Sequence, residues 1–125
     1  MVKTKRVFDA ASKADGLRVL IDRLWPRGLK KEKAGIDLWL KDIAPSSELR
    51  KWFGHDPARW EEFVRRYSWE LDNNGRSIAV LAARARRGTV TLLYAARDEE
   101  YNNGLALKAY LDRKILGVVG PGTTT

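Results

Sequence analysis

Arg18-Val19-Leu20-Ile21-Asp22-Arg23-Leu24-Trp25-Pro26-Arg27-Gly28 changes character halfway along. The apolar middle of residues 18–24 is too continuous for a half-exposed strand and suits one covered on both faces, which Pro26 and Gly28 then end. A second run of the same kind, Thr89-Val90-Thr91-Leu92-Leu93-Tyr94-Ala95, lies far along the chain. The segments between these runs carry helical spacing. Buried strands separated by helices predict an α/β fold: a small, mostly parallel sheet flanked by helices, in three layers, forming a single domain over residues 1–116. Residues 117–125, rich in Gly and Thr, read as a flexible tail.

Working outward, Val7 and Phe8 suggest a short strand within residues 3–9, and Asp15-Gly16 signals a turn before the first buried run. Residues 36–43, with Leu38, Trp39, Leu40 and Ile43, read as a short helix stopped by Pro45, since a residue before proline avoids the helical region. Ser46 or Ser47 can cap a helix running to about residue 53. Asp56 as N-cap and Pro57 at the first position open the clearest helix, with Trp60, Phe63, Val64, Tyr67 and Leu71 on one face. Glu61 with Arg65 and Glu62 with Arg66 are spaced as ion pairs on its wet face. Asn73-Asn74-Gly75 breaks that helix; Ile78, Leu81, Ala82 and Ala85 mark another that ends near Gly88, and a last helix covers residues 103–115.

The composition bounds the function. With 44% apolar residues, the 125-residue chain can bury a real core. It has no cysteine, hence no disulfide or thiolate ligand, and no stretch of transmembrane length or secretory leader pattern; a cytoplasmic location is expected. Lys and Arg number 24 against 16 Asp and Glu, a net charge of +8 that favours polyanions as partners. One histidine and no cysteine argue against a zinc site; a carboxylate-bound magnesium stays open but without support, and no metal or cofactor is expected. No Gly-x-x-x-x-Gly-Lys-Ser/Thr loop and no Gly-x-Gly-x-x-Gly fingerprint occurs.

Parallel sheets place ligands outside the carboxyl ends of their strands. Two segments leave those ends here: 22–28 and 95–103. In the first, Arg23 and Arg27 can grip phosphate or carboxylate, Trp25 offers a stacking face, and Asp22 is an acid/base candidate. Against this stands a plainer reading in which Asp22 pairs with one of these arginines to fix the turn and Trp25 is core. In the second, Arg97 is a further anion ligand, Tyr94 a stacking wall, and Asp98 and Asn102 are catalytic or orienting groups; Asp and Asn are also ordinary helix caps. His55, the one histidine, precedes a helix, and no activated nucleophile stands near it in sequence.

Taken as a set, the 18–28 stretch, Trp39, Pro45-Ser46-Ser47-Glu48-Leu49, Trp52-Phe53, His55-Asp56-Pro57, Trp60, Glu70-Leu71, the run from Val90 to Asp98 and Asn102-Asn103 resemble the YeaO-like family of the DUF488 group. The resemblance extends from about residue 5 to 116, and Asp-Arg-Leu-Trp-Pro-Arg-Gly is its most specific motif. It implies a small prokaryotic, cytoplasmic α/β domain and carries no activity over. It also implies a histidine where Tyr101 stands and an alanine where Gly104 stands, so a histidine role at that position is missing from this chain.

Three functions follow. The first is an enzyme-like pocket for a phosphate-bearing or nucleotide-like ligand, acting as a metal-independent hydrolase or transferase. Asp22 and Asp98 would be catalytic there, with Arg23, Trp25, Arg27, Tyr94, Arg97 and Asn102 binding. The second is a non-catalytic nucleic-acid-binding module using Lys30, Lys31, Lys33 and the arginines from 84 to 87. The third is an adaptor whose exposed tryptophans meet a protein partner.

Overall fold

Val90-Thr91-Leu92-Leu93-Tyr94, rich in β-branched and apolar residues, forms strand β4 (Val90–Tyr94), buried along its whole length because both of its edges and both of its faces are covered. The computed structural model describes residues 1–117. It sets β4 between β1 (Val2–Arg6) and β2 (Leu17–Leu20), with β3 (Leu38–Trp39) beyond β2, all parallel, in the order β1-β4-β2-β3. Val2 pairs with Val90 and Leu17 with Val90 from the other side, so three strands start level, and β2 ends one residue before its neighbours.

Side-chain alternation divides the core. Val19, Ile21, Val90 and Leu92 meet α2 (Ser47–Phe53), α3 (Trp60–Asp72), α4 (Gly75–Arg87) and α5 (Asn103–Ile115) on one face. Val7, Leu20 and Leu93 point to the other, covered more thinly by Trp25, Leu29, Ile36 and Trp39 around the short α1 (Lys31–Ala34). The thin layer is pinned by polar groups rather than bulk. Arg18, buried, donates to the Ala34 and Gly35 carbonyls and to Asp15, which also receives Lys5.

Residues 36–43 do not form the helix their apolar spacing predicts. They form β3 and a 3-10 turn over Lys41–Ile43. The edge of β2 needs hydrogen-bond partners, and this segment supplies them: the Asp37 and Leu40 amides donate to the Arg18 and Leu20 carbonyls, while the Asp37 carboxylate accepts from the Arg18 amide. β2 is also shorter than residues 18–24, because the chain turns away after Ile21 donates to Leu93. The first strand occupies Val2–Arg6 rather than residues 3–9.

The helical signals hold with adjustments. Ser46 caps α2, and Asn73-Asn74 separates α3 from α4. Asp56 caps a 3-10 turn, Pro57–Arg59, that leads into α3. Glu62 takes both Arg65 and Arg66 as partners, so the expected Glu61–Arg65 pair does not form. The tail expected over residues 117–125 lies, from residue 118, outside the described residues. No helix among those described is long and apolar enough to cross a membrane.

Candidate functional site

After β2 the chain leaves toward β3, whereas after β4 it leaves toward α5, which packs back over β1 and β4. Neighbouring strands whose connections part in this way open a crevice at their carboxyl ends. Asp22 bridges that crevice. One carboxylate oxygen accepts the Ala95 amide at 2.9 Å and the other the Asn103 side-chain amide at 3.0 Å, tying the end of β2 to the end of β4 and the start of α5. Burial pushes the Asp22 carboxyl above its ordinary value, opposed by the two N–H donors and by the charge of Arg50.

The rest of the 22–28 turn is fixed from within. Trp39 donates its indole N–H to the Asp22 carbonyl at 2.7 Å, Trp25 donates to the Leu29 carbonyl at 2.8 Å, and the two indoles meet edge to face with centroids 5.4 Å apart. Arg23 reaches the Ala44 and Pro45 carbonyls, both at 3.4 Å, and its Nε is shielded from solvent with no partner among the described residues. Arg27 is exposed, with no ion-pair partner among the described residues.

Across the crevice, one Asp98 oxygen accepts the Glu100 and Tyr101 amides at 2.9 and 3.0 Å, so its carboxylate shapes the turn. Asn102, buried, caps α5 by accepting from the Leu105 amide and donates to the Asp98 carbonyl. Asn102 is thus a helix cap, whereas Asp98 holds the turn that precedes the helix. Gly104 follows, where a Cβ would come within 2.8 Å of Tyr94 Cδ1. The alanine that the family resemblance implies at 104 therefore has no room beside this Tyr94.

These two segments, α2, His55 and Phe63 enclose an open cavity of about 930 Å³. Asp22, Arg23, Trp25, Arg27, Arg97, Asp98 and Asn102 all line it; Tyr94, buried against Gly104, does not. The ion pair of the plainer reading, between Asp22 and an arginine of its own turn, is absent among the described residues, where N–H donors hold both oxygens.

Sequence reading missed Arg50 and Lys51 of α2 and the buried Phe53 and Phe63 beside them, and took Asn103 only as part of a helix start. Nothing local marks them, since α2 reaches the crevice only through the path of the chain after β3. His55 stands at the rim in the left-handed region, φ 57°, the one non-glycine among the described residues to do so. That backbone state costs about 1 kcal/mol for a residue with a Cβ. Tyr101 lines the cavity with its ring edge-on to Trp60, centroids 5.5 Å apart.

Residues 1–118 match the model of a family described as the inactive DUF488-N3 subclade. The chain is 41% identical over 110 residues to the uncharacterized protein YeaO of Escherichia coli K12, covering 88% of this chain and 96% of that protein. It is 38% identical over 111 residues to the uncharacterized protein Rv3073c of Mycobacterium tuberculosis H37Rv, covering 89% and 93%. The uncharacterized protein Mb3100c of Mycobacterium bovis matches to the same extent. No solved structure matches. Over almost its whole length, therefore, this chain belongs to the YeaO-like DUF488 family.

Proposed function

We propose that the crevice binds a small phosphate-bearing, nucleotide-like ligand and holds it without turning it over. The observation that carries this reading is the state of the charges around it. Arg27, Arg50, Lys51 and Arg97 line the cavity with no ion-pair partner among the described residues, and Arg23 adds a fifth cation. Asp22 and Asp98, the two carboxylates there, are engaged by N–H donors. Cations free to grip, beside an Asp22 with both oxygens engaged and an Asp98 with one, favour binding over acid–base work.

Two further features support it. The N-terminal end of α5, where the helix dipole favours an anion, opens at the cavity. Tyr101, half-buried, gives the lining an aromatic ring against which a base or sugar can rest, while Phe53 and Phe63 belong to the core beside it. The description of the matching subclade as inactive agrees with binding in place of the hydrolase or transferase chemistry the sequence suggests.

The test is calorimetric titration of the protein with ADP and with pyrophosphate. Saturable binding is expected, weakened at least about tenfold by Arg50→Ala, a loss of about 1.4 kcal/mol typical of one charge-assisted contact. Binding that is untouched by Arg27→Ala and Arg50→Ala together would remove the cavity from the account. Release of phosphate from ADP by the protein would overturn the claim that it does not turn its ligand over.

A further inference from the structure

α4 reads Gly-Arg-Ser-Ile-Ala-Val-Leu-Ala-Ala-Arg-Ala-Arg-Arg and contains no acidic residue. Its apolar side, Ile78, Leu81, Ala82 and Ala85, is buried in the core. At 100° per residue the exposed Arg76, Arg84 and Arg87 fall within a sector of about 80°, and at 1.5 Å per residue they extend over about 16 Å. Ser77, Val80 and Ala83, all short, intervene on or beside that face. None of the three arginines has an ion-pair partner among the described residues, unlike Arg65 and Arg66 on α3, which share Glu62.

Helix stability explains part of this pattern. Arg84 and Arg87 stand in the last turn, where a cation complements the negative end of the helix. Arg76 stands in the first turn, where a cation opposes the dipole and where α4 offers no acidic residue to offset it. Its position is unfavourable for folding, so helix stability does not account for it.

We infer that this face of α4 is a docking surface for the phosphate backbone of a nucleic-acid duplex. A face of exposed, unpaired guanidiniums suits the phosphates of a duplex, and the chain's net charge of +8 draws the two together. A membrane surface fits less well, because the apolar side that a membrane-bound helix would insert is already spent in the core. The surface is separate from the crevice, which no residue of α4 lines. Lys31, by contrast, is drawn toward Trp25, its ammonium 5.8 Å from the ring.

Fluorescence anisotropy with a labelled, random-sequence DNA duplex, repeated over a series of salt concentrations, tests this. Binding is expected to weaken with salt, and removing each arginine is expected to lower the slope of log affinity against log salt by roughly one. Arg76→Glu separates binding from folding: it places an anion at the helix N-terminus, so melting temperature should hold or rise while duplex affinity falls. The double variant Arg84→Ala/Arg87→Ala should lose affinity as well, and Arg27→Ala/Arg50→Ala in the crevice should retain it. The inference is overturned by unchanged affinity and salt slope in Arg76→Glu and in Arg84→Ala/Arg87→Ala, or by loss of duplex binding in the crevice variant alone. Polyglutamate competing as well as the duplex would overturn it in favour of an acidic protein partner.

Discussion

Two aspartates show how one residue type takes opposite roles. Asp15 is buried, and burial alone would push its carboxyl up; the Ser12 amide, Lys5 and Arg18 together hold it below its ordinary value. A folded value below the unfolded 3.8 means that this carboxylate adds stability above that pH and loses it as pH falls through the folded value. Asp15→Asn leaves Arg18, only 5% exposed, without its counter-charge, which typically costs about 3–5 kcal/mol. Urea unfolding should show that deficit at neutral pH and show it shrinking in strong acid, where the natural carboxyl is itself protonated; a deficit independent of pH would refute the assignment. Asp22 has the opposite sign, its raised value making the ionised form the less favourable one as pH rises. Sequence reading picked out Asp22 because it follows an apolar strand. It gave no hint of Asp15, whose partners Lys5 and Arg18 come from two strands that are brought together only by β4 between them.

At the level of elements, α5 is the part most legible in advance: residues 103–115 are read correctly because Asn102 caps the helix by a local rule. Removing that cap with Asn102→Ala should cost about 1–2 kcal/mol, since the side chain also satisfies the Asp98 carbonyl. Gly104→Ala sets two effects against each other. Helix propensity gains up to about 1 kcal/mol, whereas a Cβ 2.8 Å from the buried Tyr94 ring forces repacking that costs about 1–3 kcal/mol. Net destabilisation is expected in thermal melts and should be relieved by adding Tyr94→Leu; a variant that melts higher than the natural chain would show that the ring gives way freely. Segment 36–43 failed to read as a strand for the converse reason. Its helical spacing is local, but the open edge of β2 that claims it is set by tertiary structure. Gly16 shows a similar dependence, with φ 62° and the Thr89 carbonyl where a Cβ would lie, a contact between residues distant in sequence.

For the whole molecule, the strand order β1-β4-β2-β3 decides where a ligand can act. The order could not be read from the chain, because nothing local says that β4, last in sequence, inserts between the first two strands. Once it does, segments 22–28 and 95–103 face each other and Asp22 joins them. A ligand in the crevice would touch α2 and both segments at once, adding a link between α2 and the segments that Asp22 already joins. Hydrogen exchange in the presence of pyrophosphate should therefore slow together in these three regions. Amides that exchange only on global unfolding, such as those of β4, should gain about 2.7 kcal/mol of protection at a ligand concentration a hundred times the Kd. Duplex DNA should instead protect α4 and leave the crevice segments unchanged, because its phosphates meet Arg76, Arg84 and Arg87 on a surface to which the cavity contributes nothing. Beyond the protection that either ligand gives to globally exchanging amides, local protection of the crevice by the duplex, or of α4 by pyrophosphate, would mean that the basic charge acts as one undivided field; local protection of each region by its own ligand would mean that the fold keeps two anion sites apart.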